Sequence, residues 1–313
     1  MLKIFSFLTA LLTFSVSTFA QENIEPEQLL EKMIAAQNTL NYEIYFVQAT
    51  PTNIDSLRYR HINQDGKSYA QLITLDGVQQ EIIQHENLVS YFPPNFQAFS
   101  LKSGHIMDNL PVVMWSDVKQ LSDYYDIVTI GRNRVADRIV QTLRILPKDD
   151  FRYQYLVFID EQNHLLLRSD MLDREGNLLE QFRVVNLYLG DELIKLGSYI
   201  DNVIFPPLLS EPKTQQQQNW KPEWLPKGFK LISQSITIEK DNKHPIESQF
   251  YSDGLFSFAL YLSNSIVDND GERFWKQGST TFYSNTLGNK ELTFVGQLPL
   301  FSAKRIIQDI RIK

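Results

Sequence analysis

The sequence predicts a mainly β protein of the α+β class. It is an unclosed antiparallel β-barrel wrapped around helices, followed by a small antiparallel sheet with a C-terminal helix. Three observations predict this. Short segments with apolar residues at every second position recur through most of the chain, with turn residues between them. Aromatic side chains are plentiful, with 20 Phe, 14 Tyr and 4 Trp, and these suit a pleated, half-buried surface. Clear helical spacing of apolar side chains is confined to stretches near the two ends.

Residues 1–20 read as an export signal. Lys3 supplies the positive charge, residues 4–16 form a short apolar run, and Thr18 and Ala20 take the small-residue positions before a cut after Ala20. The run is shorter than the roughly 20 residues that cross a membrane. The mature chain is therefore expected to be soluble and outside the cytoplasm. There is no cysteine. Lipid attachment at a new N-terminal cysteine, disulfides and thiolate metal sites are excluded. Export without disulfides leans towards a bacterial periplasm.

Residues 26–38 read as a helix. Pro26 suits its first turn, and Leu29, Leu30, Met33, Ile34 and Gln37 recur at helical spacing. Strand patterns follow at 42–49 and 56–62. The next two strands flank Asp76-Gly77, a strong hairpin signal. The strand NLVSYF stops at Pro93-Pro94, and Pro111 can start a short helix with Val112, Val113, Trp115 and Val118. Strands return with DIVTI and RIVQTLRIL. In FRYQYLVFID, Phe151, Tyr153, Tyr155, Val157 and Ile159 share one face at period two. HLLLRSDML and LLEQFRVVNLYL flank a turn at Gly176. These make about ten strands around one main helix.

Residues 206–220 contain three prolines and four consecutive glutamines, and so little apolar area that they read as a linker. The expected division is 21–209 for the open barrel, 210–219 for the linker and 220–313 for a C-terminal α+β unit. In that last unit five strand patterns precede a helix. Ser252-Asp253-Gly254 makes a tight turn, and Ala303, Ile306, Ile307 and Ile310 form the helical stripe after Pro299.

The net charge of -7 disfavours nucleic acid as a partner. No nucleotide-binding, zinc-protease or serine-hydrolase motif occurs, and the five histidines are scattered. Neither catalysis, a cofactor nor a metal is expected. Two features point to binding. Arg132, Arg134 and Arg138 lie in one basic run, which reads either as an anion site or as a solvated sheet face. Tyr91, Phe92, Phe96, Phe99 and Trp115 cluster in segments without a clean period. They either line an apolar cavity or close the barrel as core.

Longer matches then appear. They are LNYEIYFV, SLRYRH, LVSYFPP, DNLP, SDYYDIVTIGRNRVADR, MLDREGNLLEQFRV, FPPLL, PEWLPKGF, PIESQFYSDGLFSF and VGQLPLFSAKRI. Together they span almost the whole mature chain, and the sequence resembles the RseB/MucB family of periplasmic sigma-E regulators. The resemblance implies a large domain with the lipoprotein-carrier fold and an apolar cavity, then a smaller partner-binding domain. It implies binding to the periplasmic part of a single-pass membrane anti-sigma factor, which is thereby shielded from regulated proteolysis. Lipid-bearing envelope molecules, lipopolysaccharide or lipoprotein, are the implied release signals. Trp224, Tyr251, Asp253 and Phe256 are the residues expected to meet the partner. Self-association stays open. The alternative reading is a stand-alone periplasmic lipid or lipoprotein carrier.

Overall fold

Eleven antiparallel strands form one continuous sheet in a computed structural model that describes residues 24–209, 218–238, 244–265 and 271–312. The export signal lies outside the described residues, as does most of the expected linker. The strands are β1 (Tyr42–Thr50), β2 (Asn53–Gln64), β3 (Lys67–Thr74), β4 (Glu81–His85), β5 (Leu88–Phe92) and β6 (Phe99–Lys102). They continue with β7 (Tyr125–Val135), β8 (Arg138–Pro147), β9 (Gln154–Asp160), β10 (Leu166–Leu172) and β11 (Leu178–Leu189). Each pairs with its neighbour in sequence, except that β1 pairs with β11 and β6 does not pair with β7. The sheet therefore has two edges, β6 and β7, and is not closed into a barrel. Residues 103–124, which carry a short 3-10 turn (Val112–Trp115) and helix α2 (Val118–Tyr124), join these two edges.

Helix α1 (Pro26–Thr39) lies on the inner face and buries Leu29, Leu30 and Met33. The alternation that marked β1 as a strand sets its inward side chains. Tyr42, Ile44 and Phe46 are buried, while the residues between them are half-exposed. Tyr42 also donates its hydroxyl to Gln37 of α1 at 2.7 Å, which satisfies a buried amide. On the outer face, α3 (Lys195–Asp201) covers a second apolar cluster of Ile62, Tyr69, Ile83, Leu196 and Ile200. Sequence reading missed two elements here. β6 is only four residues long, and α3 runs directly on from a 3-10 turn (Asp191–Ile194) with no capping side chain to announce it.

The C-terminal part begins with β12 (Trp220–Pro222). A six-stranded antiparallel sheet follows: β13 (Lys230–Ile238), β14 (Pro245–Ser252), β15 (Ser257–Asn264), β16 (Gly271–Gln277), β17 (Thr280–Leu287) and β18 (Lys290–Gly296). Helix α4 (Leu300–Gln308) buries Ala303, Ile306 and Ile307, and β19 (Ile310–Ile312) returns to pair with β12. β16 was not expected from the sequence. It is an edge strand with all seven residues exposed, so it carries no buried period to read. Among the described residues no helix is long and apolar enough to cross a membrane.

Candidate functional site

The two sheets meet at a buried seam, and the turn between β14 and β15 is its centre. Asp253 is fully buried there. Its Oδ1 accepts from the backbone N–H groups of Leu255 and Phe256, at 2.9 and 2.8 Å, and so shapes the turn. Its Oδ2 reaches the other sheet. It accepts from the Tyr125 hydroxyl at 2.5 Å and pairs with Arg152 Nε at 3.0 Å. The Arg152 contact is an ion pair at hydrogen-bond distance, but Nε is not aligned as a donor.

Arg152 is 1% exposed, and its surroundings explain how a charge is kept there. Asp149 lies 3.2 Å from Nη1, and Nη2 donates to the Lys227 carbonyl. The guanidinium also lies 5.3 Å from the ring centres of both Tyr125 and Phe229. Carboxylates, a carbonyl and ring faces together replace its hydration shell. Burial pushes the Tyr125 hydroxyl well above its usual range, and the neighbouring Asp253 charge adds to this. It therefore acts at neutral pH as a donor to the carboxylate.

Phe256 enters the concave face of the large sheet. Its ring centre lies 5.5 Å from Tyr155, 6.3 Å from Tyr153 and 6.4 Å from Tyr125. Backbone carbonyls of the same turn are bound as well. Gln120 Nε2 donates to Asp253 O at 2.9 Å, and Ser116 Oγ to Gly254 O at 3.1 Å. Further along the seam, Ser279 Oγ donates to Glu180 at 2.8 Å, and Ser302 Oγ donates to the Phe151 carbonyl at 2.9 Å. One continuous apolar core runs through both sheets as a result.

Three of the four expected partner residues are enclosed in this structure. Asp253 and Phe256 are sealed in the seam, and Tyr251 is 4% exposed and stacks on Phe258 within the small sheet. In this arrangement none of the three presents itself to a partner. Trp224 does remain half-exposed. Its ring lies 3.9 Å from the Arg305 guanidinium and edge-on to Phe151. It lines a cleft of about 290 Å³ between the two sheets, together with Tyr124, Asp149, Phe151, Arg152 and Lys227.

The five aromatics expected in one cavity do not converge. Tyr91 and Phe92 are adjacent in β5, so they point to opposite faces. Tyr91 packs on the inner core and stacks on Phe99 at 4.8 Å, whereas Phe92 joins the outer cluster under α3. Phe96 is 81% exposed, and Trp115 stacks on His105 at 5.0 Å.

The arginine run is also already partnered. Arg132 forks onto Glu161 at 2.5 and 2.7 Å, and Arg134 meets Asp137 at 2.7 Å. Arg138 pairs with the buried Asp160 and donates to Gln162 at 2.8 Å. An anion would have to displace these carboxylates.

The residues that build the seam were missed in the sequence, apart from Asp253 and Phe256. The available signal was Arg152, a charge placed between Phe151 and Tyr153 in a strongly aromatic run. Among the described residues no group of three or more His, Asp or Glu side chains could hold a metal ion.

A family described as the MucB/RseB N-terminal domain matches residues 25–218, and the MucB/RseB C-terminal domain matches residues 214–311. The chain belongs to the MucB/RseB family. The Sigma-E factor regulatory protein RseB of Haemophilus influenzae is 54% identical over 100% of this chain and 98% of its own length. The protein of that name from Escherichia coli K12 is 37% identical over 97% of both chains. Among solved structures, MucB in complex with MucA(peri) is 25% identical with a TM-score of 0.72, covering 92% of this chain and 99% of that one. The Pseudomonas aeruginosa MucA/MucB complex shares the fold, with 24% identity and a TM-score of 0.74 over 93% of this chain and 99% of that one. In MucB/RseB terms the seam joins the N-terminal domain to the C-terminal domain.

Proposed function

We propose that this protein is a periplasmic negative regulator of the envelope-stress (sigma-E) response. It binds the periplasmic segment of a single-pass membrane anti-sigma factor and shields that segment from regulated proteolysis. The observation that carries the reading is the full-length identity of 54% to a protein named as a sigma-E regulator. The solved complex of MucB with MucA(peri) supports a protein partner for this fold.

The reading has finer parts as well. The mature chain starts after Ala20, with a first domain to residue 209 and a second from residue 220. The half-exposed Trp224 cleft at the seam is the part of the expected partner surface that a polypeptide can reach. Acylated envelope molecules, lipopolysaccharide or lipoprotein, weaken the grip. α1 and the Phe256 ring occupy the concave face, so an acyl chain gains room there only by moving one of them. Such a ligand couples to partner binding if it favours a different arrangement of the two domains.

Isothermal titration of the mature chain with the anti-sigma periplasmic segment tests the reading. Saturable binding is expected, and a Trp224→Ala variant should bind more weakly. Absence of binding by a folded wild-type chain contradicts it. An acylated amphiphile added to the preformed complex should lower the affinity, and an unchanged affinity at saturation contradicts the release step.

A further inference from the structure

We propose that the concave face of the N-terminal domain is a peptide-binding socket, and that the chain's own Asp253–Phe256 turn is its resident ligand. The inference stands apart from the anti-sigma reading, since it rests on the seam alone. Recognition of the turn has the form of peptide recognition. Arg152 and Tyr125 hold a carboxylate, and Gln120 and Ser116 donate to two successive backbone carbonyls. The three tyrosines receive an aromatic ring three residues after the carboxylate. Every receiving group belongs to the N-terminal domain. The carboxylate, carbonyls and ring they receive belong to one four-residue turn, and Arg152 also meets the Lys227 carbonyl and the Phe229 ring.

The geometry defines the ligand class. It is a peptide turn with Asp at the first position and an aromatic residue at the fourth. The second position favours glycine, because Gly254 has φ +96°. The resident turn is also an imperfect occupant. Tyr153 is 2% exposed beside the socket, and its hydroxyl has no hydrogen-bond partner among the described residues. The Arg152 Nε is likewise not aligned on Asp253. A peptide supplied in trans can improve on both contacts. Because the resident turn is tethered, it competes at high effective concentration, and a free peptide sees only the fraction of open sockets.

The test uses the whole mature chain and a fluorescently labelled synthetic peptide, YSDGLFSF, read by anisotropy. The double variant Asp253→Asn/Phe256→Ala disables the resident turn and leaves the socket intact. It should bind the peptide roughly 10-fold or more tightly than wild type does. Adding Arg152→Gln to the double variant should reverse that gain, and so should a peptide with Asn in place of Asp. A double variant that is folded by circular dichroism but binds no better than wild type overturns the proposal. So does binding that ignores Arg152→Gln. If lysophosphatidylglycerol binds the opened variant and the peptide does not, the socket is a lipid site and the proposal fails. Should the double variant not fold, Asp253→Asn alone replaces it, and no gain in peptide affinity there is equally decisive against the idea.

Discussion

Asp253 of the C-terminal domain and Arg152 of the N-terminal domain form a 3.0 Å ion pair with side-chain exposures of 0% and 1%. The pair explains why an acidic residue stands in an otherwise apolar turn. It also explains why Arg152 interrupts an aromatic strand entry. Two halves with separate sheets thereby share a buried charge contact and one core.

The two partners should not be equally sensitive to substitution. Asp253→Asn leaves Arg152 beside Asp149, 3.2 Å away, so its cost should fall below the usual range for a broken buried pair, at about 2 kcal/mol. Arg152→Gln leaves the fully buried Asp253 carboxylate with Tyr125 and backbone donors only. That loss should be roughly 3–5 kcal/mol. Urea melts of the two single variants and the double variant measure both costs and their coupling. Equal and small losses would show that the pair is dispensable.

Gly228 packs against Tyr124 across the seam. A Cβ added there would lie 2.7 Å from the Tyr124 ring, at a backbone φ of +94°. Gly228→Ala should lower stability by about 2 kcal/mol, because both the ring and the backbone must shift. Thermal unfolding measures this. A variant that melts with wild type would mean that the two segments part without cost.

His61 should produce an acid-sensitive limb. Its Nδ1 donates to the Leu40 carbonyl at 2.9 Å, with Ser68 Oγ 3.2 Å from Nε2. Burial lowers its pKa from 6.5 to about 4, with the nearby His105 adding to the shift and the Leu40 bond opposing it. The unfolded chain then binds the proton more readily than the folded one between those values. Stability should fall as pH drops through this window, by roughly 3 kcal/mol in all. Urea melts at pH 7 and pH 4.5 should show a smaller acid loss for His61→Gln than for wild type. Identical losses would assign the acid limb to other groups.

The three arginines of the basic run should separate by the burial of their partners. Arg132 and Arg134 are more than half exposed, so replacing either with Gln should change stability by about 1 kcal/mol or less. Arg138→Gln removes the partner of Asp160, which is fully buried, and should cost about 3 kcal/mol. Equal effects at all three positions would contradict this ordering.

Local patterns made much of the fold legible. β1 alternates on a buried face, the Asp76-Gly77 turn lies between β3 and β4, and Ala303, Ile306 and Ile307 of the expected helical stripe are buried in α4, while Ile310 falls in β19. In β9 Tyr155, Val157 and Ile159 are buried as expected, but Phe158 and Asp160 on the other face are buried too, and Phe151 and Tyr153 precede the strand. β16 was illegible because an edge strand with every side chain exposed imposes no period. The seam was illegible for another reason. Alternating Phe256 and Phe258 fit a core as well as a binding face, and only the fold shows which. Phe258 stacks inside the small sheet, while Phe256 crosses into the large one. Tyr91 and Phe92 show the reverse error, since proximity in sequence suggested a shared cavity and the strand pleat sends them apart.

The most direct measurement of the regulatory role is the cleavage rate of the anti-sigma periplasmic segment by its initiating protease, followed against rising concentrations of the mature chain. Cleavage should slow and then stop as the segment becomes saturated, and Trp224→Ala should shift that titration to higher concentrations. An unchanged cleavage rate at saturating, folded protein would contradict the proposed function.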